Sequence, residues 1–187
     1  MPDLYHKHMT QKVYSDPNWR VNCTAYCAAM MITDATLGGA DVTGRIVRAW
    51  SNESTPNPSS PGLNITQIID VAWQFRVKIT DHQKEPWSEA MRLLDQGRRI
   101  LMQVDYKELG QYRCQAKGDF AHAILLVRPA EADGFIRASD PLCSESKRYP
   151  EAIVKEAARV FARNTGVSVG LRWAATRVIP ETVKSVD

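Results

Sequence analysis

The chain has 187 residues, enough for one domain with a sizeable core, and its 44% hydrophobic and 24% charged content is ordinary for a globular protein. A net charge of +3, with no basic cluster denser than the pairs Arg98-Arg99 and Lys147-Arg148, calls for neither a nucleic-acid nor a membrane partner. The best apolar run, 121–127, includes His122 and falls far short of a membrane span.

Residues 1–21 read as an irregular lead-in with turn chemistry at Ser15-Asp16-Pro17-Asn18. Asn22 is placed to cap a helix over 23–37 that Gly38-Gly39 ends, and a short helix follows over 42–50. Residues 51–63 form a polar, Pro- and Ser-rich loop. Asn64 can cap a third helix, 65–75, with Ile68, Ile69, Val71, Ala72 and Phe75 at helical spacing. A strand is expected at 77–80, and a fourth helix opens at Pro86-Trp87-Ser88-Glu89 and ends near Gly97.

The pattern then changes to strands at 99–106, 120–128, 134–139 and 167–178, with a helix at 150–162 between the last two. Helices first and an antiparallel sheet after them is an α+β arrangement. A single domain over 1–187 is expected, with 1–21 a lead-in segment and 179–187 a C-terminal tail. Trp50, Trp73, Trp87 and Trp173 fit core positions, whereas Trp19 and Asn18, just before Cys23, are candidates to line a substrate cleft.

Four cysteines, Cys23, Cys27, Cys114 and Cys143, are too few and too scattered for a disulfide scaffold. A redox link between Cys114 and Cys143, or plain burial of both, stays open. Cys23 and Cys27 at i,i+4, with His6 or His8, are a weak metal reading without a CxxC pair, and no metal site is assigned.

The chemistry concentrates in three residues. Cys23 opens a helix, where the positive end of the macrodipole favours the thiolate; the ordinary role of a free cysteine is a small buried hydrophobe. His122 lies alone in the apolar strand Phe120-Ala121-His122-Ala123-Ile124-Leu125-Leu126-Val127, and Asp140 ends the next strand in Ala138-Ser139-Asp140-Pro141. A tight turn at 131–134 separates those two strands, so they should pair as a hairpin and bring the Asp near the His. The Asp could then orient the imidazole, the His could take the thiol proton, and the Cys could attack a carbonyl.

These segments resemble a known family, the papain-like cysteine peptidases of the double-glycine, bacteriocin-processing type. The likeness is carried by Cys23 followed by small residues and Met30, by Gly97-Arg98-Arg99-Ile100-Leu101-Met102-Gln103-Val104, by the strands of His122 and Asp140-Pro141, and by Gly170-Leu171-Arg172-Trp173. It spans roughly residues 11–178. Thr24 and Ala121 stand where that group usually has glycine, and Cys-Thr-x-Tyr is similar instead to the CHAP amidase/endopeptidases, which share the core and cut peptidoglycan.

The resemblance implies a papain-like fold with N-terminal helices on an antiparallel sheet and no metal or organic cofactor. It implies Cys23 as nucleophile, His122 as general base and acid, Asp140 as orienting residue and Gln11 as oxyanion donor, with Asn18 the other candidate for that donor. The expected activity is hydrolysis of a peptide bond in a polypeptide or in peptidoglycan through an acyl-thioester. A catalytically silent papain-like binding or structural module, and acyl transfer to an amine, are the competing readings. The polar N-terminus has no signal-peptide stretch, so synthesis in a cytoplasm is expected. Delivery to the envelope, or a place in a virion or a larger phage or bacterial assembly, stays open.

Overall fold

A computed structural model describes residues 6–12, 19–51, 62–115, 118–166, 171 and 173–177. The helices are α1 (Cys23–Ala35), α2 (Gly44–Trp50), α3 (Ile65–Gln74), α4 (Trp87–Asp95) and α5 (Glu151–Asn164). The strands are β1 (Lys78–Asp81), β2 (Ile100–Asp105), β3 (Ala121–Arg128), β4 (Phe135–Ser139), β5 (Lys147–Pro150) and β6 (Trp173–Arg177). Short 3-10 turns cover Trp19–Val21 and Tyr106–Tyr112.

The strands form one sheet in the order β1-β6-β2-β3-β4-β5, every neighbouring pair antiparallel. Period-2 alternation gives the sheet two buried faces. Leu101, Ala123, Leu125, Val127 and Ala174 pack under α1, α2 and α3. Ile100, Met102, Val104, Ile124, Leu126, Ile136 and Trp173 pack under α4 and α5. The fold is α+β, as expected, but its sheet is sandwiched between two helical layers, and α1 is enclosed almost all round, from Thr24 to Asp34.

Local chemistry explains the boundaries. Asn64 and Gln67 form a reciprocal capping box at α3, each side chain bonded to the other's backbone amide at 2.9 Å. The second helix starts at Gly44 because the Thr43 hydroxyl accepts from the Ile46 amide at 3.4 Å. A Cβ at Gly44 would come within 2.1 Å of the Tyr26 ring, so glycine lets α2 lie directly against α1.

Several expectations are corrected. Asn22 does not cap α1 with its side chain: its Oδ1 accepts from the Arg48 guanidinium at 3.1 Å, a charged donor that outcompetes a helix amide. Trp50 and Trp73 are not core; they are 46% and 70% exposed, Trp50 stacked on Phe75 at 4.9 Å. Trp73 lies one residue past buried Ala72, which turns it away from the apolar stripe Ile65, Ile68, Val71, Ala72.

Trp87 and Trp173 are buried as expected. The strand β5 is not legible in the sequence, since Lys147-Arg148 reads as a solvated pair and Pro150 ends the run. It is a short edge strand with one buried side chain, Tyr149, and charge and proline on the edge are what blunts such strands.

The lead-in is ordered at 6–12. It runs along α1, with His6 Nδ1 2.7 Å from Asp34 Oδ2 and the Met9 amide 3.2 Å from Met30 Sδ. It then reaches Pro141, whose carbonyl accepts from the Gln11 amide at 2.8 Å.

Candidate active site

The 3-10 turn Trp19–Val21 delivers the chain to Cys23, the first residue of α1. The amides of a first helical turn lack intrahelical partners and, with the macrodipole, favour negative charge there. Cys23 is half-buried, while Cys27, one turn on, is fully buried. The two thiols behave oppositely. Burial pushes Cys27 well above the ordinary thiol range, and its Sγ donates to the Ala123 carbonyl at 3.4 Å. Burial also pushes Cys23 up, but a hydrogen bond and favourable charge from His122, with hydrogen bonds from the Ala123 backbone and the Thr24 side chain, outweigh it and leave the thiol lowered.

His122 is buried near the start of β3. Its Nε2 lies 2.7 Å from Asp140 Oδ1, which leaves Nδ1 for Cys23. Burial pulls the ring down. The Asp140 charge and hydrogen bond, followed by Cys23, pull harder and raise it to about 10. Both shifts act in the direction that favours a thiolate beside an imidazolium. The Tyr106 ring holds the imidazole edge-on, centroids 4.9 Å apart at 73°.

Asp140 follows β4, which pairs with β3 in the expected hairpin (Leu125↔Ser139, Leu126↔Ala138). Its Oδ1 also accepts from the Leu142 amide at 2.8 Å, and its carbonyl from the Cys143 amide at 2.9 Å. Cys143 is disulfide-bonded to Cys114, Cα atoms 5.2 Å apart. The Cys114 and Gln115 amides both donate to Tyr106 Oη, at 2.9 and 3.0 Å. One covalent link thus ties the Asp140 turn to the segment that pins Tyr106 against His122. Of the two roles left open for Cys114 and Cys143, the structure realises the redox link.

A cleft of about 260 Å³ opens beside Cys23 and His122. Its walls are Val21, Leu63, Phe120, Ala121 and Phe161, with Arg20, Thr24 and Gln103 as further polar residues. Phe120 stacks on Tyr106 at 4.8 Å and so belongs to the same aromatic brace.

Cys23, His122 and Asp140 are therefore brought together. Gln11 is buried beside Pro141 and is not among the residues lining the cleft; its strap runs along the same helix that carries Cys23. Asn18 lies outside the described residues. Trp19 lies in the turn before Cys23, and its side chain is outside them as well. Sequence reasoning missed Gln103, Phe120 and Phe161 as cleft residues. Gln103 carried a signal, a lone uncharged polar residue inside an apolar strand.

The alternative metal reading of Cys23 and Cys27 with His6 or His8 loses its histidines. His6 bonds Asp34 and Ser139, and His8 bonds the Cys143 carbonyl at 3.1 Å. Among the described residues, the His/Cys/Asp/Glu group with metal-like spacing is Cys114, Asp140 and Cys143, and its two sulfurs are already joined to each other. None of the described helices is long and apolar enough to cross a membrane.

No protein-family model matches the chain, and no curated protein matches it. Solved structures do. A candidate C39-like peptidase from Bacillus anthracis aligns with a TM-score of 0.59 at 14% identity, over 84% of this chain and 88% of that one. The Pseudomonas avirulence protein AvrPphB aligns over 86% of this chain and 92% of that one at 10% identity, with a TM-score of 0.37, too slight to bear on the fold. The first likeness, together with the six-stranded antiparallel sheet and its helices, makes the fold that of the papain-like peptidases.

Proposed function

We propose that the protein is a cysteine peptidase in which Cys23 attacks a peptide carbonyl, His122 moves the proton and Asp140 orients His122. The observation that carries this is the half-buried Cys23 thiol at a helix start, lining one cleft with His122, whose Nε2 lies 2.7 Å from the buried Asp140 carboxylate. The Cys23 thiolate adds to the carbonyl carbon and its electrons move onto the oxygen. The first-turn amides of α1 are the nearest fixed donors for that oxyanion, and Gln11, on the strap alongside, is the proposed side-chain donor.

Collapse expels the amine, which takes its proton from the His122 imidazolium, and leaves an acyl-thioester on Cys23. Water, deprotonated by His122, then releases the acid and restores the thiol pair. Thr24, where the resembled group has glycine, lines the same cleft, and its side chain acts with His122 to lower the Cys23 thiol. The proposed substrate is a peptide bond in a polypeptide or in a peptidoglycan stem or cross-bridge.

The test is incubation with purified peptidoglycan and, separately, with an unfolded protein, reading new amino termini against a Cys23→Ala control. New termini that the control lacks support the reading. Equal release by both proteins, or none from either substrate, overturns it.

A further inference from the structure

Among the polar residues of the cleft, Gln103 is an uncharged one with no part in the Cys23–His122–Asp140 arrangement. Gln103 lies on β2 with Ala123, the residue after His122, as its register partner. By strand alternation it points to the same side of the sheet as Leu101, Ala123 and Leu125, the side on which α1 and Cys23 pack. Cross-strand neighbours lie about 5 Å apart, so its side chain starts within one strand of the Cys23–Ala123 contact. It is half-buried on an inner strand, reaches the cleft, and its amide makes no hydrogen bond among the described residues. Polar groups in such positions are ordinarily partnered, and an amide left unpaired under a bound ligand would be unfavourable.

Because the residue is only half-buried and faces the cleft, a molecule bound there can supply the partner. Val21, Leu63, Phe120 and Phe161 wall it with apolar surface, suited to an apolar side chain. Gln103 is uncharged and presents a donor and an acceptor side by side, which matches the C=O and N–H of a peptide unit rather than an ion. We propose that Gln103 is a substrate-positioning residue that hydrogen-bonds the backbone of a peptide lying beside Cys23, with an apolar substrate side chain in the Val21–Leu63–Phe120–Phe161 subsite. This rests on the hydrolase reading above.

The test compares two electrophiles that alkylate Cys23, iodoacetamide and epoxysuccinyl-leucine amide, on the wild-type protein and on Gln103→Leu. Leucine keeps most of the volume and removes both hydrogen bonds. The second-order rate with the leucine epoxide should fall about tenfold, the order of one lost hydrogen bond, while the iodoacetamide rate stays unchanged. Equal rates for both proteins with the epoxide overturn the proposal. So does a parallel fall with both reagents, which would mean that Gln103 acts through the folded site rather than on the peptide. If Cys23 of the wild-type protein reacts with iodoacetamide no faster than an ordinary thiol, the hydrolase reading itself fails, and the role given to Gln103 falls with it.

Discussion

Two histidine–carboxylate pairs stand at the two ends of α1. His122 and Asp140 meet Cys23 at its start, and His6 meets Asp34 in its last turn; both contacts are 2.7 Å. The second pair even has a nucleophile in line, because His6 Nε2 lies 2.6 Å from the Ser139 hydroxyl. By distance alone that is a Ser-His-Asp relay, one residue before Asp140. Its surroundings deny it the chemistry. Ser139 is fully buried and shares its hydroxyl with Ser146 at 2.5 Å. Asp34 also accepts from Arg99 Nε at 2.5 Å, so its charge is already compensated.

Asp140 has no such cation among the described residues, and its Oδ2 is buried without a hydrogen bond there. Its charge is therefore available to raise His122. The thiol, unlike Ser139, lies at a helix N-terminus on the edge of a cleft. Hydrogen-bond geometry is common to both ends. Access and an uncompensated carboxylate separate a site from a structural clamp.

The largest effect should come from testing that separation directly. Cys23→Ala should lower kcat by about 10⁴-fold or more, whereas Ser139→Ala should leave it within about twofold, measured on the substrate that the peptidoglycan and unfolded-protein assays identify. A fall of the same size in Ser139→Ala would reverse the assignment of the two ends. The pH dependence sharpens it further. Because Cys23 is lowered, its alkylation should persist below the pH range in which an ordinary thiol ionises. Because His122 is raised to about 10, turnover, which needs its proton for the leaving amine, should decline only as pH rises through about 10. Asp140→Asn removes the charge that raises the ring, so this alkaline limb should move to lower pH. Asp34→Asn should leave it in place.

How far the sequence displays this contrast depends on the residue. Cys23, His122 and Asp140 are legible because the proposed nucleophile sits at a helix start and the other two lie on or directly after strands joined by a short turn, a local arrangement that pairing then enforces. The partners of Asp34 are not legible. They come from residue 6, 28 positions away, and residue 99, 65 positions away, and nothing in the local pattern links them. Asn22 misleads for the same reason: a capping residue by local propensity, it is claimed by Arg48, 26 residues on. The exposure of Trp50 and Trp73 is likewise set by which helical face the tertiary packing buries. The disulfide joins residues 29 apart on two loops whose proximity follows from sheet order, which residue spacing does not encode.

On the structural side, Asp34→Asn should be the most damaging change to stability. It leaves the buried Arg99 guanidinium without its carboxylate, and removing one member of a buried ion pair costs about 3–5 kcal/mol. Chemical denaturation should show that loss, while iodoacetamide alkylation of Cys23 in the folded protein keeps its wild-type rate. A slowed alkylation would mean that the two ends of α1 are coupled. The disulfide gives the converse case. Replacing Cys114 and Cys143 together by serine should cost about 2–4 kcal/mol and also reduce turnover, because the link fixes the Asp140 turn and the Tyr106 brace. Stability loss with unchanged turnover would confine the disulfide to a structural role.

The smallest expected effect is the most discriminating. His6→Ala removes the histidine of the second pair but leaves Asp34 its Arg99 partner and the Lys7 amide at 3.1 Å. What is lost is a part-buried anchor of the strap 6–12, so denaturation should register only about 1 kcal/mol. The corresponding change at the other end, His122→Ala, should abolish turnover, since His122 is the titratable base beside Cys23 among the described residues. The strap also carries Gln11, which remains bonded to Pro141. A His6→Ala protein with normal kcat would therefore mean that the anchor at residue 6 is dispensable for placing Gln11. A kcat lowered tenfold or more, with the Cys23 alkylation rate intact, would assign the strap to the oxyanion side of the reaction and make the His6–Asp34 clamp a support of catalysis at a distance.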